Sequence, residues 1–289
     1  MSILVSGSIA NDYIMNFHDQ FGKYILPDKT HELSVNFNIN ELHAHAGAAN
    51  ISYNLLLQKS VLLGAIGKEY KASEFMKTRA NWEYTVVSES LHTATANIMT
   101  DEKNNQITAF YPALLESGKQ SVLDVQGDFS YAIVSPNLPD TMIAHVKQCA
   151  ERGIPVIFDP GQPLSAFSKE QLLETLGAAN HLIVNEYELD LLCKIADIDV
   201  SELLNYVESY IVTLGASSRY ISEQETFDVP ATPTEVLDPT GAGDAFRAIL
   251  YELHHGNGWR SGMELSELAH ACIQMHGTQR HDFERVQKN

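Results

Sequence analysis

YAIVS (131–135), DTMIAHVKQCAERG (140–153), PVIFD (155–159), SKEQLLETLGAA (168–179), HLIVN (181–185), EYELDLLCKIA (186–196) and YIVTLG (210–215) follow one another in that order along the chain. The short members are apolar on both faces, which suits strands covered by helices on each side. The longer ones repeat apolar residues at three- and four-residue spacing, the mark of a helix with one buried face. Strand and helix alternate, so the chain predicts an α/β layered fold around a mostly parallel sheet. ILVSG (3–7) and VLLGAIG (61–67) add two strands of the same kind.

Two regions break the rhythm. Residues 12–42 and 84–111 lack a helical period, and in the second TANIMT and ITAFY flank the turn-like DEKNNQ; both read as small antiparallel strands attached to the main layer as a lid. With no internal repeat, low-complexity tract or Pro/Gly/Ser linker, residues 1–289 are expected to form one domain carrying that lid. Its exposed strand edges could pair with a second copy, and monomer and homodimer both stay open.

The 19 Lys and Arg residues face 37 Asp and Glu, a formal charge of −18. Such a surface repels phosphate backbones and anionic lipid, so neither nucleic acid nor membrane is an expected partner. Cys149, Cys193 and Cys272 are far apart and form no CxxC pair, which fits a reducing compartment better than a disulfide scaffold or zinc knuckle. The first residues, MSILVSGSIANDYI, show no basic leader, and no run approaches the roughly 18 apolar residues of a membrane span. A cytoplasmic protein is expected.

Several common motifs are missing. The first strand is followed by Gly7-Ser8-Ile9-Ala10-Asn11 rather than GxGxxG, and no Gly-Lys pair is followed by Ser or Thr. GxSxG and HExxH are absent. His43 with His45, and His254 with His255, lack the spacing of a helical metal site, so no zinc is assigned.

Chemistry concentrates in Asp238-Pro239-Thr240-Gly241-Ala242-Gly243-Asp244-Ala245-Phe246-Arg247-Ala248-Ile249-Leu250. Pro239 stops any preceding helix and Thr240 is a natural cap, which puts the glycines in a first helical turn where free N–H groups and the helix dipole attract an anion. Asp244 beside that turn could act as general base toward a hydroxyl while the turn receives a phosphoryl group. It could also be a simple acidic residue near a helix start, worth roughly 0.3–1 kcal/mol. Two glycines where helix propensity is sacrificed favour the functional reading.

DPTGAGDAF resembles the C-terminal signature of the PfkB family of carbohydrate and nucleoside kinases. That resemblance implies a ribokinase-like three-layer α/β/α sandwich with a small β lid, ATP and Mg²⁺ as cofactors, and a small-molecule acceptor. By the same resemblance Asp244 is the catalytic base and Gly241, Ala242 and Gly243 are the anion hole. Asp238 and Thr240 stand where many members hold a monovalent cation such as K⁺. Asn185-Glu186-Tyr187-Glu188 is similar to the family's NxxE motif, whose Asn and Glu organise phosphate and Mg²⁺, for Glu188 through water. Thr213 and Gly215 resemble the strand end that approaches ATP. Asp12, after the first strand, corresponds to the carboxylate that holds acceptor hydroxyls, and Gly47 with Asn50 resembles the N-terminal GGxxxN signature, with Asn50 on the sugar. Here His45 and Ala46 replace the usual Gly-Gly pair.

NISYNL, TAFYPA, FDPGQ and DPTGAGDAFRA are most similar to bacterial adenosine-kinase-like members. The leading expectation is ATP-dependent phosphorylation of the 5′-hydroxyl of adenosine or a related ribonucleoside. Tyr13, Phe37, Phe110 and Tyr111 are candidates to stack on a base or simply to pack the lid. Two other readings stay open: a sugar kinase acting on ribose, fructose or a similar acceptor, and a nucleotide-binding protein with a degenerate acceptor site, suggested by His45, Ala46 and Ile249.

Overall fold

The structure is a computed structural model, and it describes residues 2–24, 38–55, 59–72, 74–103, 105–112, 120–215, 217–230, 243–248, 250 and 258–259. In chain order the strands are β1 (Ser2–Ser6), β2 (Ile9–Asn16), β3 (Asn38–Gly47), β4 (Ser60–Leu63), β5 (Ala65–Gly67), β6 (Ala80–Asn81), β7 (Val86–Ser88) and β8 (Ala94–Thr100). They continue with β9 (Gln106–Tyr111), β10 (Phe129–Val134), β11 (Val156–Phe158), β12 (His181–Asn185), β13 (Ser209–Thr213), β14 (Ser217–Ser222) and β15 (Thr226–Pro230). The helices are α1 (Ala48–Asn54), α2 (Glu74–Arg79), α3 (Pro139–Glu151), α4 (Lys169–Leu176) and α5 (Glu186–Ala196), and residues 243–248 are also helical.

The main sheet has the order β15-β14-β13-β12-β11-β10-β1-β4-β6, parallel from β13 to β6 with β14 and β15 antiparallel at one edge. The two-residue period of a strand sorts its side chains between two cores. Ile3, Ile133, Ile157, Ile183 and Ile211 point to one face, where they meet α1, Met76 of α2, Phe246, Ala248 and Leu250. Leu4, Val134, Phe158, Val184 and Val212 point to the other, against Met142 and Val146 of α3, Leu172 and Leu176 of α4 and Leu192 of α5. Each such fully buried side chain stabilises by roughly 1.5–3 kcal/mol, which makes the sheet the rigid frame.

Local signals set the helix starts: Pro139 lies in the first turn of α3, and Ser168 with Gln171 forms a reciprocal capping box on α4. Among the described residues no helix is long and apolar enough to cross a membrane.

A second sheet, ordered β3-β2-β8-β9, covers the carboxyl ends of the main strands. Its centre, β2 with β8, is parallel, and only the flanking pairs are antiparallel, so the expected antiparallel lid is a mixed sheet. The turn between β8 and β9 is organised by Asp101, whose carboxylate accepts from the N–H groups of Phe21, Lys103 and Asn105 and from the Asn105 amide.

The run VLLGAIG, expected as one strand, is two. β4 stays in the main sheet, while β5 pairs with β7 in a separate two-stranded sheet after Val86 N–H bonds Gly64 O at 3.0 Å.

Candidate active site

A cavity of about 620 Å³ opens at the carboxyl ends of the parallel strands, where ligands of open α/β sheets bind. Its floor comes from residues that follow the strands: Ser8 after β1, Pro136 and Asn137 after β10, Asp159 and Gly161 after β11, and Glu188 in the first turn of α5. Asp244 and Arg247 enter from the 243–248 helix. Ala10, Asp12, Ala96, Ile98, Thr108 and Phe110 of the lid sheet form an apolar roof carrying one buried carboxylate. A hollow of about 700 Å³ at the opposite edge, beside Ile154, Asn180 and Glu208 just before β11, β12 and β13, is far from these groups.

Asn50, in the first turn of α1 and fully buried, donates from Nδ2 to Asp244 Oδ2 at 2.9 Å. The Gly47 N–H bonds the same carboxylate. Two residues expected to touch the acceptor therefore also hold the expected base. Burial pushes the Asp244 carboxyl up from its ordinary value, while Arg247, the Asn50 amide and the Gly47 N–H pull it down. A carboxylate so raised is a stronger proton acceptor than one in water.

Gly47 caps α1 at φ 67°, ψ −136°, a conformation that only glycine adopts without strain. Its Cα faces the Ser8 carbonyl, and a Cβ there would stand 2.3 Å from that oxygen. His45 and Ala46 lie in β3, one step outside this contact.

Asn185 and Glu188 make a reciprocal capping box on α5: Asn185 Oδ1 accepts from Glu188 N at 2.8 Å, and Glu188 Oε2 accepts from Asn185 N at 2.9 Å. Glu188 reaches the cavity wall, whereas Asn185 is not among its lining residues. Thr213 pairs with Asn185 across the β12–β13 ladder, and Gly215 follows it at φ +73°; both sit at the carboxyl edge of the sheet outside the cavity. Asp238, Thr240, Gly241 and Ala242 lie outside the described residues, and of the anion-hole turn only Gly243 is described.

Asp159 and Arg247 were not singled out by the sequence. Arg247 Nε stands 2.6 Å from Asp159 Oδ2, and Nη2 donates to Oδ1 at 3.4 Å. Burial pushes the Asp159 carboxyl up to about 7; Arg247 pulls against this, and Glu188 and Asp244 add to it. The signal was present. Asp159 ends an apolar strand run, as Asn185 does, and Arg247 is a lone charge among Ala245, Phe246, Ala248 and Leu250, all buried.

The aromatic expectation divides. Phe110 lines the cavity, but Tyr13 and Tyr111 are not among its lining residues, because successive strand residues face opposite ways. Phe37 lies outside the described residues.

Among the described residues no cluster of three or more His, Cys, Asp or Glu is arranged to hold a metal ion. Glu188, with Oε2 on the Asn185 N–H, fits a water-mediated role toward Mg²⁺ rather than a protein cage.

Residues 24–284 match the family described as pfkB family carbohydrate kinase. A nucleoside kinase of Methanocaldococcus jannaschii is 29% identical over 263 residues, covering 84% of this chain and 80% of that one. A ribokinase of Bacillus subtilis is 27% identical over 201 residues, covering 65% of this chain and 66% of that one. The Burkholderia thailandensis nucleoside kinase in complex with inosine superimposes with a TM-score of 0.86 at 31% identity, covering 99% of this chain and 97% of the other. The architecture is thus the ribokinase fold, with a large, mostly parallel central sheet.

Proposed function

From the premise that the chain belongs to the pfkB family of carbohydrate kinases, and is therefore a phosphotransferase with a hydroxyl acceptor, we propose that it transfers the γ-phosphoryl group of ATP to the 5′-hydroxyl of adenosine or a related ribonucleoside. The observation that carries this reading is Asp244, held by Asn50 in a cavity that also contains Asp12. Asp244 takes the hydroxyl proton as the phosphoryl group moves in line, and Asp12 with Asn50 orients the ribose. Asp12 can accept from two vicinal hydroxyls at once. Glu188 acts on Mg²⁺ through water, and the ion when bound neutralises phosphate charge. Asp238 and Thr240 are assigned to K⁺, Thr213 and Gly215 to the nucleotide, and residues 241–243 to the anion hole, by family resemblance.

A nucleoside is favoured over a free sugar by the roof, where Ala10, Ala96, Ile98 and Phe110 offer apolar surface that a base can cover and a pentose leaves bare. The inosine complex of the Burkholderia relative supports the same choice. A sugar acceptor is the second reading, supported by the ribokinase match. Coupled measurement of ADP release across nucleosides and free sugars decides between them. Asp244→Asn should lower kcat at least a thousand-fold while the melting temperature stays within a few degrees; near-normal turnover by this variant refutes the assignment of the base.

We place the protein in the cytoplasm on its separated cysteines, of which Cys149 and Cys193 are free thiols. A homodimer through the lid, supported by exposed Tyr13 and Tyr111, would appear as twice the chain mass in light scattering; a monomer at micromolar concentration removes it.

A further inference from the structure

Among the described residues four carboxylates, Asp12, Asp159, Glu188 and Asp244, line the cavity with one guanidinium, that of Arg247. The lone cation is not at the rim. Its side chain is 17% exposed and that of Asp159 only 2%; Nε forms an ion pair with Asp159 Oδ2 at 2.6 Å without hydrogen-bond alignment, and Nη2 donates to Oδ1 at 3.4 Å. Arg247 lies three residues after Asp244 on one helix, so the two side chains are neighbours on its surface. Its Nη1 packs against Gly243, so closely that a Cβ there would lie 2.5 Å away.

A buried pair of this kind is costly unless it does something that apolar residues could not, since desolvation offsets most of the attraction. Leu or Met at both positions would fill the space and leave Asp244 with no cation on its own helix.

We infer that Asp159, acting through Arg247, is a positioning residue for the base: the pair fastens the first turn of the 243–248 helix to the end of β11 and holds a guanidinium beside Asp244. The inference rests on the reading of Asp244 as base and extends it to two residues that do not touch the acceptor hydroxyl. Around Asp244 the charged and polar groups are Arg247 on its own helix, Asn50 and the Gly47 N–H from α1, Asp159 from the end of β11 and, farther across the cavity, Glu188 and Asp12. Of these only Arg247 is positive, and it leads the Asn50 amide and the Gly47 N–H in opposing the desolvation that disfavours the charged base.

The test compares Arg247→Met, Arg247→Lys and Asp159→Asn with wild type in steady-state kinetics over pH 5–9, using ATP, Mg²⁺ and the best acceptor of the panel. In Arg247→Met the acid limb of kcat should move up by about 1–3 pH units, the range by which a close opposite charge lowers a carboxyl pKa. The acceptor KM should change less than three-fold. Arg247→Lys keeps the charge and should return the limb to within about half a unit of wild type, with kcat still reduced because a compact ammonium cannot meet both Asp159 oxygens from the same place. Asp159→Asn should lower kcat roughly ten-fold or more without raising the limb, since the guanidinium remains.

An Arg247→Met limb that coincides with wild type, or an Arg247→Lys protein no better than Arg247→Met, overturns the inference. Asp244→Asn measured alongside separates the two levels of the argument. If that variant turns over normally, the base assignment is wrong; if it is inactive while the Arg247 variants keep the wild-type limb, only the positioning role is wrong. Should Arg247→Met fail to fold, Asp159→Asn decides, because it keeps the side-chain volume: a kcat within about two-fold of wild type overturns the positioning role.

Discussion

Gly47→Ala puts a methyl group where the chain has no room for one. At φ 67°, ψ −136° an L residue costs about 1–3 kcal/mol of backbone strain. The new Cβ would also stand 2.3 Å from Ser8 O, an oxygen that accepts the Ala48 N–H at 2.9 Å. Relieving that contact gives up a hydrogen bond worth about 0.5–1.5 kcal/mol. The sum is about 1.5–4.5 kcal/mol, which at about 2.1 cal/mol/K of unfolding entropy per residue lowers the Tm of a chain of this size by roughly 2–7 °C. Gly153→Ala is the control: it shares the sign of φ at +66° but has nothing within 4 Å of the new Cβ, so it reports the cost of a positive φ without a clash. The difference between the two variants holds the Ser8 contact together with the added strain of ψ −136° at Gly47. Because Gly47 also bonds Asp244 and starts the helix that carries Asn50, kcat should fall at least ten-fold in Gly47→Ala and stay near wild type in Gly153→Ala. Scanning fluorimetry and ADP-release kinetics on both proteins supply the numbers. Equal melting temperatures for the two variants, with kcat of Gly47→Ala within two-fold of wild type, would refute the argument.

Phe110→Ala should raise the nucleoside KM about ten-fold, the loss of an aromatic contact of roughly 1.5 kcal/mol, whereas Tyr111→Ala should leave it within two-fold; initial-rate measurements with both variants check this. For Asp101, burial pushes the carboxyl up, but the Asn105 amide and the N–H groups of Phe21, Asn105 and Lys103 outweigh it and bring it from 3.8 down to about 2. Its folded value lies below its unfolded one, so its contribution to stability is present above pH 3.8 and is lost as the pH falls through about 2. The urea midpoint of wild type should therefore exceed that of Asp101→Asn at pH 5, and the gap should close between pH 4 and pH 2; a gap independent of pH would dismiss the role.

Much of the frame was legible because the isoleucine, leucine and valine alternation of β10 to β13 is written locally, and so are the caps of α4 and α5. HLIVN and EYELDLLCKIA coincide with β12 and α5. VLLGAIG misled because its division at Gly64 depends on Val86, a partner more than twenty residues away. At the site, Asp12, Gly47, Asn50 and Asp244 were named from motifs, but the bond between Asn50 and Asp244 spans 194 residues, and no local pattern encodes it. Asn185 and Glu188, named for phosphate and Mg²⁺ by resemblance, also start a helix: they close its capping box, and the cavity wall formed by Glu188 is compatible with the phosphate role. Strand alternation alone forbade Phe110 and Tyr111 from sharing a pocket; which of them faces inward was fixed by the pairing of Phe110 with Ala96 and of Ala96 with Asp12.

Only Gly7 and Ser8 separate β1 from β2, so a central strand of the rigid sheet runs almost without interruption into the roof. Asp12 rides four residues beyond that junction, roughly 13 Å along an extended strand, while Asp244 is anchored in the frame below. The geometry is that of a lever on a short fulcrum: tilting the roof by about 10° swings Asp12 through roughly 2 Å, enough to part a hydroxyl from its acceptor. On the proposed reading, an acceptor that meets Asp12 above and Asp244 below is aligned only when that arm is down.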